Sequence, residues 1–265
     1  MLSIVVPTLG QRPEAFERLL TSLQEQTNTS FELIVVSQDN HEVVAAWIQQ
    51  TSLQIMHVKI SVKGLSKARN HAFPLIKGDM VTFSDDDCWY PPDAVARVTK
   101  RMQGEADACC FQIYDPYLKE SYKSYPERSA TEVKGRMLFR KSSLSFFFKT
   151  EAIMSIRFNE AFGLGGKYPS GEENLFIKQF IQAGNQLSYF PEIIVYHEKP
   201  TQQSRLSEAQ LMSKGPLFNE MYNVPIGLLL LTALFIKKGR VIRHPATSYV
   251  KAVKALLEST KKIVH

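Results

Sequence analysis

The chain has 265 residues, of which 44% are hydrophobic and 22% are charged. This composition suits a globular protein with a substantial core and argues against extensive disorder. The start of the chain lacks the basic residues of a signal peptide and has the pattern of a strand. Three cysteines without CxxC spacing predict reduced, buried thiols in a cytosolic protein, not a disulfide framework or a zinc site.

The net charge of +6 is distributed unevenly. Residues 199–265 contain eight lysines, three arginines and three glutamates, a net charge of +8, so residues 1–198 carry −2. No zinc ligands, RNA-binding aromatic motif or helix-turn-helix pattern accompanies the basic residues, which argues against nucleic acid as a partner. We therefore predict a first domain over 1–198 and a basic, apolar helical tail over 199–265.

The first part of the chain alternates between strand patterns and helix patterns. Alternation of this kind favours an α/β fold with a doubly wound, mostly parallel, Rossmann-like sheet. Such sheets bind ligands at the carboxyl ends of their strands. The predicted strands are Leu2–Thr8, Phe31–Ser37, Leu53–Ile60 and Gly78–Ser84, and the predicted helices are Glu14–Gln26, 41–50 and 66–76.

After Pro92 the alternation is less regular, and we predict elements from short local patterns. A strand is expected at 106–114, and a strand followed by a helix at 142–156. A glycine-rich loop spans 162–174 and an amphipathic helix follows it to Gly184. A final pair of strands is expected on either side of Pro191.

The tail combines an apolar stretch with basic residues. Val224 to Ile236 is apolar, but its 13 residues are fewer than the roughly 20 that a membrane-spanning helix needs. Basic residues follow this stretch directly, a combination typical of segments that bind anionic membrane surfaces. We predict a peripheral membrane contact, and the competing interpretation is that the tail helices pack on the protein itself or on a second copy.

Three consecutive aspartates, Asp85, Asp86 and Asp87, directly follow the fourth predicted strand. Adjacent carboxylates repel each other, and a hard divalent cation such as Mg²⁺ or Mn²⁺ would offset that repulsion. Alternate residues of an extended chain point the same way, so we expect Asp85 and Asp87 to share one face. The alternative is a solvated acidic loop.

Six motifs taken in order carry a resemblance to a known family. They are LSIVVPT, LLTSLQEQT, FELIVVS, KGLSKARNHAF, GDMVTFSDDDCWYPPD and SGEENLF. Over Leu2–Glu198 the chain resembles the family-2 glycosyltransferases of GT-A fold. Its glycine-rich loop followed by YHEKP is similar to bacterial members that build surface polysaccharides.

The resemblance implies a metal-dependent, inverting transfer of a sugar from a nucleoside-diphosphate sugar, most simply a UDP-sugar. The acceptor would be a hydroxyl of a glycan or of a lipid-linked saccharide at the cytoplasmic face of the cell membrane. Residues 1–92 would form the half that binds the nucleotide sugar, and residues 93–198 the half that binds the acceptor. The partners would be this donor, the acceptor, the membrane surface and, in an oligomer, further copies of the chain.

The resemblance also implies roles for individual residues. Asp87 and Asp85 would ligate Mn²⁺ or Mg²⁺, and His197 would complete the metal site unless it is only a structural histidine. Glu173 would be the general base, with Glu172 as the alternative. Trp89 and Tyr90 would border the sugar or pack in the core, and the nucleotide-binding residues would be Pro7, Thr8, Arg12, Gln38, Asp39, Lys67, Arg69, Asn70, Asp85 and Asp86.

The chain departs from the family at two positions, and two other functions compete. The family usually has Glu-Asp where Glu172 and Glu173 stand, and often an aspartate at the position of Leu175. A nucleotidyltransferase that makes the sugar nucleotide would share the sheet, but PTLGQRPE is poorer in glycine than its nucleotide loop should be. A non-catalytic, membrane-associated glycan-binding subunit would not need intact DDD and GEEN motifs.

Overall fold

A computed structural model of the chain describes residues 1–133, 143–201 and 206–260. Within them, an eight-stranded sheet is flanked by helices, and three helices follow it. The strands are β1 Leu2–Thr8, β2 Phe31–Ser37, β3 Ile55–Lys59, β4 Met80–Phe83, β5 Ala108–Asp115, β6 Glu120–Ser121, β7 Phe146–Lys149 and β8 Leu187–Tyr196. The helices are α1 Pro13–Gln24, α2 His41–Ile48, α3 Leu65–Ala72, α4 Ala94–Met102, α5 Thr150–Ile153, α6 Glu172–Gln182, α7 Glu208–Met221, α8 Val224–Lys238 and α9 Pro245–Thr260, with short 3₁₀ turns at Phe73–Leu75 and Ser143–Ser145.

The sheet has the order β3-β2-β1-β4-β7-β5-β6, and β8 pairs with β5. The β1–β2, β2–β3, β1–β4 and β5–β8 pairs are parallel, whereas β7 runs antiparallel to both β4 and β5. The predicted mostly parallel α/β sheet with a helical C-terminal region is therefore confirmed. Burial on both faces explains why β1, with all seven residues buried, is apolar without alternation.

The prediction of two strands around Pro191 was wrong, because β8 is one strand from Leu187 to Tyr196. Its register against β5 shifts between the pairs Cys110–Tyr189 and Gln112–Ile193, so extra β8 residues are accommodated around Pro191. A proline has no N–H to donate, and a bulge is where a paired strand tolerates it.

The chain divides into two compact units. The first contains the whole sheet and comprises Met1–Lys63, Lys67–Arg157 and Gln179–Lys199. The second comprises Gly64–Ser66, Phe158–Lys178 and Pro200–His265, and its described part contains α7, α8 and α9. Residues 202–205 and 261–265 of the predicted tail lie outside the described residues.

Each unit has its own hydrophobic core. In the sheet unit, β1, β2 and helices α1 and α4 contribute most of the buried aliphatic side chains. In the second unit, a smaller cluster contains Leu211 of α7, Leu231 and Phe235 of α8, Ile242 between α8 and α9, and Ala252 of α9. Among the described residues, no helix combines the length and the apolar character that crossing a membrane requires.

Candidate active site

The aspartate triplet lies at the carboxyl edge of the sheet because of the parallel register of β1 and β4. Leu2 to Val5 pair with Met80 to Phe83, so the residues after β4 run beside the end of β1. There Thr8 donates a hydrogen bond from Oγ1 to Asp86 Oδ2 at 2.6 Å. The Thr8 hydroxyl also accepts the backbone N–H of Gly10 at 3.0 Å, which fixes the orientation of the side chain.

Arg12 brings a positive charge to the second and third aspartates. Its Nη2 lies 2.5 Å from Asp86 Oδ1, and its Nη1 donates to Asp87 Oδ2. Asp86 is buried, and burial raises its pKa to about 6 although Arg12 and the Thr8 hydroxyl favour the carboxylate. A carboxyl group whose pKa is raised in this way is a candidate member of a functional site.

The first aspartate pairs with a fully buried arginine. Arg69 Nη2 donates to Asp85 Oδ1 at 3.0 Å, and its side chain is 0% exposed whereas that of Asp85 is 30% exposed. Arg69 lies on α3, whose sequence SKARNHA places this cation on the buried face of the helix. The buried guanidinium of Arg69 therefore holds Asp85 Oδ1 in place.

The third aspartate contacts the predicted histidine. His197, the residue after β8, has its Nε2 3.3 Å from Asp87 Oδ1, and its Nδ1 lies 2.5 Å from the carbonyl oxygen of Glu198. Burial opposes protonation of His197, but the hydrogen bond and charge of Asp87 and the charge of Asp85 outweigh it and raise the pKa of the imidazole. The pKa of Asp87 is lowered, because His197 and Arg12 outweigh the effect of burial.

Asp85, Asp87 and His197 together form a candidate metal site. One ligand atom from each side chain lies within 4.8 Å of the others. Two carboxylates and one imidazole form a donor set that suits Mn²⁺ and, through its oxygens, Mg²⁺. Asp85 and Asp87 were expected to share one face of an extended chain. Residues 86 and 87 instead form a turn, and this turn brings the two carboxylates together.

The other predicted nucleotide residues lie on the same edge of the sheet unit or on α3. Pro7 is buried within β1 opposite Val36, and Gln38 follows β2 and donates its backbone N–H to the Thr8 carbonyl at 2.9 Å. Asp39 forms an ion pair with Lys63. Lys67 and Asn70 are half-buried on α3, on either side of Arg69.

Arg18 is a member of this region that sequence reasoning missed. Its guanidinium lies 3.9 Å from the centre of the Trp89 ring and donates to the Tyr117 hydroxyl at 2.8 Å and the Asp87 carbonyl at 3.5 Å. Trp89 therefore lies in the region around the aspartates. Tyr90 does not, because it is buried in the core and its hydroxyl donates to Ser84 at 2.8 Å.

Glu172 and Glu173, the predicted bases, begin α6 in the second unit. Gly171, directly before them, has a φ of +104°, and a Cβ there would lie 2.9 Å from the Leu217 side chain. Gly163 has a φ of +99°, and a Cβ there would lie 3.4 Å from the Glu172 side chain. The glycine-rich loop thus permits two close approaches that fix the start of α6.

Lys214 of α7 is a second residue that sequence reasoning missed. Burial lowers its pKa, while the charges of Glu173 and Glu172 act in the opposite direction. Two neighbouring contacts connect α7 to the α6 region: Gln210 Nε2 donates to the Pro169 carbonyl at 3.4 Å, and Lys178 Nζ donates to the Glu220 carbonyl at 2.6 Å. The side chain of Lys214 therefore lies near the two glutamates within their own unit.

A mostly parallel α/β sheet with an Asp-Asp-His cluster at its carboxyl edge is the arrangement expected of a transferase of GT-A fold. The family model "Glycosyl transferase family 2" matches residues 3–163, and the chain belongs to that family. The matched region is therefore that of a glycosyltransferase. Membership of this family argues against the nucleotidyltransferase, and turnover with a sugar nucleotide would exclude the non-catalytic subunit.

Two curated proteins similar to this chain are named as uncharacterized glycosyltransferases. One is an uncharacterized glycosyltransferase of Haemophilus influenzae, 33% identical over 104 residues, which are 39% of this chain and 35% of the relative. The other is the uncharacterized glycosyltransferase YfnE of Bacillus subtilis, 23% identical over 138 residues, 51% of this chain and 34% of the relative. The chain thus matches about a third of the length of each relative.

Solved structures share the fold at low sequence identity. The structure of S. aureus TarS 1-349 in complex with UDP-GlcNAc has a TM-score of 0.66 and 17% identity, and the match covers 97% of this chain and 81% of that one. The Pyrobaculum calidifontis mannosyltransferase PcManGT in complex with GDP-Man and Mn²⁺ has a TM-score of 0.58 and 14% identity, with 98% and 86% covered. These matches confirm the predicted GT-A fold.

Proposed function

We propose that the protein transfers a sugar, with inversion, from a UDP-sugar to a hydroxyl group of a growing bacterial glycan or of a lipid-linked acceptor. The single observation that carries the proposal is the convergence of Asp85, Asp87 and His197 at the carboxyl edge of the sheet of a family 2 glycosyl transferase. UDP is favoured as the nucleotide because TarS, a neighbour in fold, was solved in complex with UDP and with UDP-GlcNAc.

The donor's diphosphate would lie beside the aspartate cluster, within reach of Arg12. A divalent cation held by Asp85, Asp87 and His197 would neutralise the negative charge that develops on the departing diphosphate. Arg12, which already spans Asp86 and Asp87, has the planar fork that pairs with phosphate oxygens. Pro7, Thr8, Gln38 and Asp39 would contact the base and ribose at the ends of β1 and β2.

The reaction also needs a base, because a neutral hydroxyl is a weak nucleophile. Glu173 would take the proton of the acceptor hydroxyl, whose oxygen then bonds to the anomeric carbon. The bond from that carbon to the diphosphate oxygen breaks, and the nucleoside diphosphate leaves with the electron pair. Attack from the side opposite the leaving group inverts the configuration. Glu172 is the alternative base, and Lys214 lies near both glutamates.

Donor binding is tested first by a thermal-shift screen of UDP-, GDP-, CMP- and dTDP-sugars, with and without Mn²⁺. A ligand at a hundredfold excess over its Kd adds about 2.7 kcal/mol of stability, which raises the Tm by roughly 5–11 °C for a protein of this size. We expect a metal-dependent shift with UDP-sugars. A wild-type protein that shifts with none of the donors contradicts the donor site.

Turnover is tested by release of nucleoside diphosphate from the donor that binds. Asp87→Asn removes a proposed metal ligand and should lower this release at least about a hundredfold. Asp79→Asn is the matched control, because Asp79 precedes β4 whereas the triplet follows it, and its side chain is 76% exposed. Equal activity in the two variants contradicts a catalytic role for the triplet.

A further inference from the structure

Helix α8 has two apolar faces. Gly227, Leu231 and Phe235 are buried, as the spacing of an inward-facing stripe requires. Ile226, Leu229, Ala233 and Ile236 are spaced three, four and three residues apart and form a second stripe on the opposite side. We call these four residues the outer stripe. Its members are exposed, with Leu229 at 69% and Ile236 at 81%.

The inner face of α8 packs in the hydrophobic core of the second unit. Leu231 and Phe235 lie in one cluster with Leu211, Ile242 and Ala252. A Cβ on Gly227 would lie only 3.1 Å from the Asn219 backbone nitrogen, so α7 and α8 approach closely. Within the described residues, the outer stripe takes no part in this packing. A helix that is apolar on both sides needs an apolar environment on its second side as well.

The segment that carries the outer stripe is basic. Between Val224 and Arg243 the chain has four basic residues and no acidic one. Lys237 and Lys238 form the last turn of α8, and Arg240 and Arg243 follow it. None of the four forms an ion pair within the parts of the chain that the structure describes. Their charge is therefore available to an anionic partner.

We propose that the outer stripe lies on the surface of an anionic lipid bilayer, with α8 parallel to the membrane plane. The apolar residues would enter the boundary between headgroups and acyl chains, and the basic residues would contact lipid phosphates. A second copy of the same face fits less well, because it would bring cations to the contact without an acidic counterpart. The inference is independent of the proposed sugar transfer, since no donor or acceptor chemistry enters it.

The test is co-sedimentation of the full chain with vesicles of phosphatidylcholine alone and vesicles enriched in phosphatidylglycerol. We expect binding to the anionic vesicles that weakens as salt is raised. Leu229→Gln/Ile236→Gln should lower the affinity at least about tenfold, a change of about 1.4 kcal/mol. Val43→Gln is the matched control, because Val43 is 44% exposed on α2 in the other unit. It should bind as the wild type does.

A charge variant separates the electrostatic contribution from the apolar one. Lys237→Gln/Arg240→Gln should lower affinity for anionic vesicles by roughly fivefold per residue. Far-UV circular dichroism and Tm of every variant should match the wild type, since all of the substituted side chains are exposed.

Two results would overturn the proposal. One is a wild-type chain that stays in the supernatant with anionic vesicles, or a Leu229→Gln/Ile236→Gln variant that sediments as the control does. The other is a wild-type dimer on size-exclusion chromatography that this double variant converts to a monomer while neither binds vesicles. That second result would assign the stripe to contact between two copies.

Discussion

The buried pair of Arg69 and Asp85 should contribute strongly to the stability of the sheet unit. Arg69 is fully buried and donates to Asp85 at 3.0 Å. Replacing Arg69 by methionine keeps much of the volume but leaves the carboxylate without this cation. Removing one partner of a buried pair costs about 3–5 kcal/mol. Because Asp85 is 30% exposed and water screens part of its charge, we expect about 2–3 kcal/mol.

Urea denaturation of four proteins measures this effect: wild type, Arg69→Met, Asp85→Asn and the double variant. For a chain of this size, the expected loss corresponds to a Tm lower by roughly 5–10 °C. The double variant removes both charges, so it should be less destabilised than the sum of the single variants by at least about 1 kcal/mol. Arg97→Met is the control, because Arg97 forms an exposed pair with Asp93 and should change stability by less than about 1 kcal/mol.

Strict additivity of the two single variants, within about 0.5 kcal/mol, would show that the two side chains do not interact in solution. A loss in Arg69→Met no larger than that in Arg97→Met would refute the argument from burial. In either case the fixed orientation of Asp85 would need another explanation.

Two further predictions concern one residue in each unit. Gly171→Ala should destabilise the protein by about 1–3 kcal/mol and lower turnover, because its φ of +104° and the Leu217 side chain at 2.9 Å both oppose a Cβ. Gly184→Ala is the control, because Gly184 has a φ of +87° but no atom within 4 Å of an added Cβ; it should lower stability by about 1 kcal/mol and leave turnover unchanged. If Gly171→Ala and Gly184→Ala lowered turnover equally, the role given to the glycine-rich loop would be contradicted. Burial lowers the pKa of His57, so the unfolded chain takes up the proton first and stability should fall as the pH drops below about 6.5. His57→Gln cannot take up this proton, so its free energy of unfolding, measured by urea denaturation, should fall less between pH 7 and pH 5 than that of the wild type. An equal fall in the two proteins would contradict this prediction.

The sequence predicted the first strands well because their patterns are local. Leu2–Thr8 and Phe31–Ser37 have the predicted bounds, since a run of apolar residues ended by polar ones defines a fully buried strand. β8 could not be predicted as one strand, because a proline within a run normally indicates a break and only pairing with β5 shows the bulge.

The candidate site was predictable to the extent that its residues lie at strand ends. Asp85, Asp87 and His197 come together as the family resemblance implied, although a turn and not an extended chain joins the two aspartates. Arg18 and Lys214 could not be predicted, because on their own helices they are ordinary basic residues. Their relation to Trp89 and to Glu173 exists only in the folded chain.

The most direct test of the central claim is a calorimetric titration of the full chain with Mn²⁺, in the absence and presence of UDP. If Asp85, Asp87 and His197 hold a cation that binds the donor's diphosphate, the wild type and Asp79→Asn should bind Mn²⁺ and UDP should tighten the binding. Asp87→Asn should lose both effects. Absence of Mn²⁺ binding to the wild type, or equal binding by Asp87→Asn, would contradict the claim.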